Sequence, residues 1–209
     1  MRLLLGAALL AGAAMAVAAP QGSPVNDAAI LEAGYPASLN DYRFFADAAT
    51  QRPTAGVTPY RLQTPLWSDG AEKLRFVYIP AGLKAQAQGE GLLNLPVGSA
   101  LVKTFKLEGR LIETRVLLHR ADGWVALPYQ WNREQTEARL ALAGARLDLT
   151  TPQGVAISYA IPNKNQCKEC HQQKDAVTPI GPKARNLSAA WLENFYKAGK
   201  LDALPKVTA

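Results

Sequence analysis

From Leu74 to Ile161 apolar and polar residues alternate with a period of two, in runs short enough to be strands and separated by turn residues. Leu74-Arg75-Phe76-Val77-Tyr78-Ile79 stops at Pro80. The run Leu101 to Leu107 sets Leu101, Lys103 and Phe105 against Val102, Thr104 and Lys106, and Leu111 to Arg120 is a second long run. Between them Glu108-Gly109-Arg110 reads as a hairpin turn. Ala121-Asp122-Gly123 is the next turn, with a glycine free to adopt positive φ. Trp124 to Trp131, Ala138 to Ala143, Arg146 to Thr150 and Val155 to Ile161 complete the set. Strands at this spacing predict a mainly β chain, an antiparallel sandwich or barrel-like body over residues 61–162. No glycine-rich phosphate loop and no internal repeat interrupts it.

The flanks read differently. Residues 20–60 form a lead-in whose first part, to residue 37, is rich in Pro, Gly, Ser and Ala and is expected to be irregular. A short helix is expected after Ser38, with Asp41 returning the bond of a capping box. A loop is expected from Arg52 to Thr58. Beyond the last strand, Asn186 or Ser188 can cap a helix of roughly Ala189 to Ala198, with Gly199 at its C′ position. Trp191, Leu192, Phe195 and Tyr196 lie at helical spacing there and read as core, closing over the site that the preceding segment builds.

That segment contains Cys167-Lys168-Glu169-Cys170-His171, and these are the only two cysteines of the chain. Cys-x-x-Cys-His is the attachment pattern of c-type haem. Two thiols a two-residue spacer apart reach the two vinyl groups on one porphyrin edge, and the next residue aims an imidazole at the iron. Cys167 and Cys170 are therefore expected to bind one covalent haem c, with His171 as the metal ligand. A thioredoxin-like disulfide would need the pair at the start of a helix in a βαβ unit, whereas here it follows a run of strands. A structural zinc ion needs four ligands, and beyond these three residues the chain offers only one more histidine, His119. Residues 163–209 thus read as a short α-helical haem-attachment segment and final helix.

The first residues agree with that chemistry. Met1-Arg2 precedes an apolar stretch from Leu3 to Ala19 that ends on Ala16-Val17-Ala18, the form of a secretory signal peptide over residues 1–18. Haem of this kind is attached outside the cytoplasmic membrane, so a periplasmic location is expected, with no membrane span in the mature chain. The net charge of +6 falls by one when Arg2 is removed. No Lys/Arg run exceeds two residues, which argues against nucleic acid. Residues 163–209 carry eight Lys or Arg against four Asp or Glu. That surplus can offset the haem propionates, or steer an acidic redox partner to the haem edge.

Several stretches carry a resemblance. Thr64 to Phe76 (TPLWSDGAEKLRF), Pro96-Val97-Gly98, Val102 to Phe105, Glu113-Thr114-Arg115, Asp122-Gly123-Trp124, Tyr129 to Asn132 and Asn163 to Cys167 resemble a group of bacterial periplasmic c-type cytochromes. Its members occur alone, as diheme proteins, or joined to quinoprotein sugar-dehydrogenase-like proteins. The resemblance spans roughly Leu62 to Leu187 and implies electron transfer, with Cys167, Cys170 and His171 as haem residues. A second Cys-x-x-Cys-His is missing, so the diheme arrangement does not carry over. Gly181-Pro182 resembles the pair that, in ordinary monohaem cytochromes c, sets a proline carbonyl against the proximal imidazole; a tight turn is the other reading.

The sixth iron ligand stays open on sequence alone. Met1 and Met15 both lie in the signal peptide, so the mature chain has no methionine ligand. His119, a Lys, an Asn or water are the alternatives, and His119 shares a strand face with Glu113 and Arg115 that looks solvated. Two functions follow. One is an electron carrier between a dehydrogenase and a respiratory cytochrome or oxidase. The other is a haem enzyme or small-ligand binder with an open distal site, peroxidase-like in type. A weaker third has Trp67, Trp124 and Trp131 forming a stacking surface for a sugar or a partner.

Overall fold

In a computed structural model, which describes residues 24–66, 70–150 and 154–207, the alternating runs pair into one six-stranded antiparallel sheet. The signal-peptide stretch and Trp67 lie outside the described residues. The chain enters through helix α1 (Asp27–Leu31), a 3-10 turn (Leu39–Tyr42) and a ribbon of β1 (Phe45–Asp47) and β2 (Arg52–Pro53). The sheet is a meander of β3 (Val57–Tyr60), β4 (Glu72–Tyr78), β5 (Ala100–Leu107), β6 (Arg110–Arg120), β7 (Gly123–Trp131) and β8 (Ala138–Leu140). After it come a separate hairpin of β9 (Ala145–Thr150) and β10 (Ala156–Ile161), and helix α2 (Lys164–His171). The chain closes with a ribbon of β11 (Gln172–Gln173) and β12 (Ala176–Val177), and helix α3 (Ala189–Lys197).

The fold is mainly β and antiparallel, as the alternation predicts. It is not a closed barrel: β3 and β8 are free edges of the sheet and do not pair with each other. The β8 edge is shielded instead by residues 37–38, where the Leu140 N–H donates to the Ala37 carbonyl at 2.9 Å and Ser38 bridges Arg139. The β5–β6 hairpin turns through Glu108 and Gly109, both left-handed at φ 50° and 77°, as a two-residue primed turn requires.

Several expectations need correction. The stretch expected to be irregular up to residue 37 holds α1, the loop expected from Arg52 to Thr58 holds β2 and the start of β3, and the sheet begins at Val57 rather than residue 61. Pro59 disguises β3, yet a proline is tolerated there because β3 is an edge strand. The strand expected over Ala138 to Ala143 ends at Leu140, where the chain turns into Gly144 (φ 72°). A Cβ on Gly144 would lie 2.6 Å from the Ile161 carbonyl oxygen and 2.8 Å from the Asn163 nitrogen, so the glycine lets the base of α2 approach. The helix after Ser38 is one 3-10 turn with the expected Ser38–Asp41 capping box.

Both faces of the sheet are covered. On one, Val102, Val116, Leu118, Leu127 and Tyr129 pack with Ile30, Leu39, Tyr42 and Phe44 of the N-terminal segment. Arg120 ties α1 down, donating to the carbonyls of Ile30 and Gly34 at 2.8 Å each. On the other face Leu101 packs with Leu187, Leu192 and Phe195 of the C-terminal segment, and further along Leu107 and Ile112 pack with Tyr159 and Ile161 of the hairpin. Between those two clusters the second face is left for α2.

Candidate functional site

Helix α2 begins where its sequence says it should. The Asn163 side chain accepts the Gln166 N–H at 2.8 Å, and the Gln166 side chain accepts the Asn163 N–H at 2.9 Å, a reciprocal cap. Lys164 anchors the first turn, its backbone N–H on the Leu142 carbonyl (3.0 Å) and its ammonium on the Tyr35 hydroxyl (2.7 Å). The helix packs on β7. Cys167 and Cys170 are one turn apart, and Cys167 and His171 are four residues apart, so all three share a side of the helix. Cys167 is buried and Cys170 exposed; both are free thiols.

A cleft of about 490 Å³ separates α2 from the sheet, within the range of about 300–1,000 Å³ typical of cofactor sites. Cys167, Cys170, His171, Gly181 and Pro182 form one side, and Leu101, Lys103, Arg115, Leu117 and Ala126 form the other. Tyr60, Leu62, Lys73 and Arg75 carry it outward over β3 and β4. A larger open depression of about 1210 Å³ adjoins it beside Trp191 and contains none of the motif residues.

The sheet wall is the face that looked solvated, and this expectation fails. Glu113 is completely buried. It accepts from Arg115 Nε and an Arg115 terminal nitrogen at 2.8 and 2.5 Å, and from the Tyr159 hydroxyl at 2.6 Å. Through Tyr159 the pair fastens the β9–β10 hairpin, and hence the start of α2, to the sheet. Arg75, Lys103 and Arg115 stand directly opposite one another on β4, β5 and β6, a row of three cations. Like charges so placed repel. Burial, then Arg115 and Arg75, push the Lys103 ammonium down to about 8. Burial and then Lys103 also lower the His171 pKa. Burial raises the Cys167 thiol against the opposing pull of Arg115.

The donor set fits a covalently held haem. Two thiols and an imidazole meet in one cofactor-sized, largely apolar cleft. His171 Nδ1 is buried with no hydrogen-bond partner, a state that costs roughly 1–3 kcal/mol unless something in the cleft answers the ring. Among the described residues no cluster of three His, Cys, Asp or Glu is placed to hold a metal ion by itself. Pro182 lines the cleft, but its carbonyl accepts from the Leu93 N–H at 3.1 Å and not from His171.

His119 lies elsewhere. Its Nδ1 is 2.8 Å from the Leu95 carbonyl oxygen, and its ring stacks on Trp124 at 4.4 Å between centroids, outside the cleft lining. Trp124 and Trp131 lie on opposite faces of β7, because seven residues separate them, and Trp131 donates to the Thr114 hydroxyl in the N-terminal core. They form no shared stacking surface. In α3, Leu192 and Phe195 are buried as expected, whereas Tyr196 is exposed, and Trp191 meets the cleft only through its edge contact with Tyr60. The sequence reading missed the cation row on the sheet wall; its signal was Arg75, Lys103 and Arg115 at inward-phased positions of three consecutive strands. No family model, curated protein or solved structure matches the chain. No described helix is long and apolar enough to cross a membrane.

Proposed function

We propose that this chain is an exported, periplasmic monohaem c-type cytochrome that carries single electrons between a dehydrogenase and the respiratory chain. The observation that carries the reading is the meeting of Cys167, Cys170 and His171 in one cleft whose opposite wall is a sheet. The resemblance of its sequence to periplasmic cytochromes and its signal-peptide-like first residues point the same way. When bound, haem supplies a reversible one-electron couple. The protein's part is to hold and surround it. Cys167 and Cys170 would form the two thioethers, and the His171 imidazole would hold the iron. Leu101, Leu117 and Ala126 keep that wall dry. Cys170 lies at the exposed end of the site, and the C-terminal segment as a whole carries eight Lys or Arg against four Asp or Glu, a surplus suited to an acidic partner.

Protein exported with its natural leader, in cells competent for haem attachment, tests this. We expect the mass of the mature chain plus one haem, and a low-spin ferrous spectrum that carbon monoxide does not change. A bare-polypeptide mass would overturn the reading. The second reading, an open distal site that binds small ligands, rests on the lack of a methionine or second histidine among the described residues that line the cleft. Rapid carbon monoxide binding and a high-spin ferric form would establish it instead. Because His119 is engaged with Leu95 and Trp124, a His119→Ala variant is expected to keep the parent spectrum; a switch to high spin would make His119 the distal ligand.

A further inference from the structure

We propose that the Lys103 amine is the second axial ligand of the iron, opposite His171; this rests on the haem reading above. Elimination narrows the choice first. Gln166 and Glu169 line the cleft from α2, the helix that carries His171, and Gln166 is occupied in the N-terminal cap. On the facing wall Arg75 and Arg115 carry guanidinium groups, which stay protonated and offer no lone pair. Arg115 is in any case held by Glu113. Lys73 sits toward the mouth of the cleft, its ammonium on the Leu66 carbonyl. Lys103 remains.

Its placement supplies the positive argument. Lys103 projects from β5, a central strand, into the cleft that His171 enters from the other side. It is the middle member of the Arg75–Lys103–Arg115 row, and among the described residues it has no carboxylate partner. Its ammonium rests only over the Phe105 ring, 5.0 Å from the centroid. A charge between two guanidinium groups, with the one nearby carboxylate already engaged by Arg115, is poorly placed as an ammonium. As a metal-bound neutral amine it fits, because the repulsion along the row then ends. In the ligation step one Nζ–H bond breaks, the proton leaves to solvent, and the nitrogen lone pair forms a dative bond to iron. No electron is gained or lost.

The test uses mature holoprotein whose mass shows one attached haem. Lys103→Arg preserves charge and length without a lone pair, and Lys103→Met offers sulfur instead; circular dichroism confirms that each is folded. We expect Lys103→Arg to convert the ferric haem to high spin and open the ferrous form to carbon monoxide. Lys103→Met should display the near-infrared band of sulfur-bound ferric haem. A Lys103→Arg protein that stays low-spin and indifferent to carbon monoxide would overturn the assignment. So would a change confined to the midpoint potential, since Lys103 would then be a counter-charge for the propionates. A wild-type chain lacking haem is a different failure, seen from its mass before any variant is made, and it removes the haem reading itself.

Discussion

A Cys167→Ser/Cys170→Ser double variant, exported in the same way as the parent, is expected to lose covalent haem entirely. Its mass should equal that of bare polypeptide, and denaturation should strip it of any residual colour. The expectation follows from chemistry rather than packing: a thioether needs sulfur, and the chain has no third cysteine to substitute. The single variants should differ. Cys170 is exposed, so serine there is structurally neutral and leaves one thioether at Cys167. Cys167 is buried at the helix–sheet junction, so serine there also introduces a buried hydroxyl that costs roughly 1–3 kcal/mol if it finds no partner. The sheet should survive in all three, because the two larger core clusters contain neither cysteine. Intact far-ultraviolet dichroism with no haem adduct is the expected pair of readings. Colour that resists denaturation in the double variant would show that the haem is held by some other bond.

The second large effect is on stability. Glu113→Ala is expected to destabilise the fold by about 3 kcal/mol, read as a shift of the urea midpoint with the slope unchanged. At 1.4 kcal/mol per tenfold, this changes the folding equilibrium by about a hundredfold. Glu113 is fully buried and accepts from both Arg115 and Tyr159. Truncation leaves a guanidinium and a phenol unpaired at the root of the β9–β10 hairpin, and it exposes Arg115 to the undiminished charge of Lys103 and Arg75. The figure is set toward the low end of buried-pair losses because the Arg115 side chain is 30% exposed and can recruit water. Glu113→Gln keeps an acceptor and should recover part of the loss. A Glu113→Ala protein within 0.5 kcal/mol of wild type, the usual scatter of surface changes, would mean the latch does not hold the hairpin.

How much could be read from the chain differs between the sheet and the site. The strands from β4 to β7 emerge within a residue or two of their alternating runs, because a period of two and a Gly-bearing two-residue turn are local properties. The motif on α2 is equally local: Cys167, Cys170 and His171 share one side of any helix they occupy, and the Asn163–Gln166 cap marks where that helix starts. The Ser188 cap and Gly199 bracket α3 for the same reason. These features need no knowledge of what the strands pack against.

Alternation assigns residues to two faces but does not say which face meets water. Glu113 and Arg115 look like a solvated side until the β9–β10 hairpin and α2, some fifty residues later, fold back over them. Tertiary structure alone therefore turned a polar stripe into the wall of a cleft, set three cations abreast, and placed Lys103 across from His171. It also turned His119 toward Leu95 and left the sheet open. Neighbours along the chain create strands β4 to β7, the caps and the thiol–imidazole motif, so these are legible before any tertiary contact is known. The surroundings of that motif come from segments far apart in sequence, whose contacts depend on which surfaces bury one another.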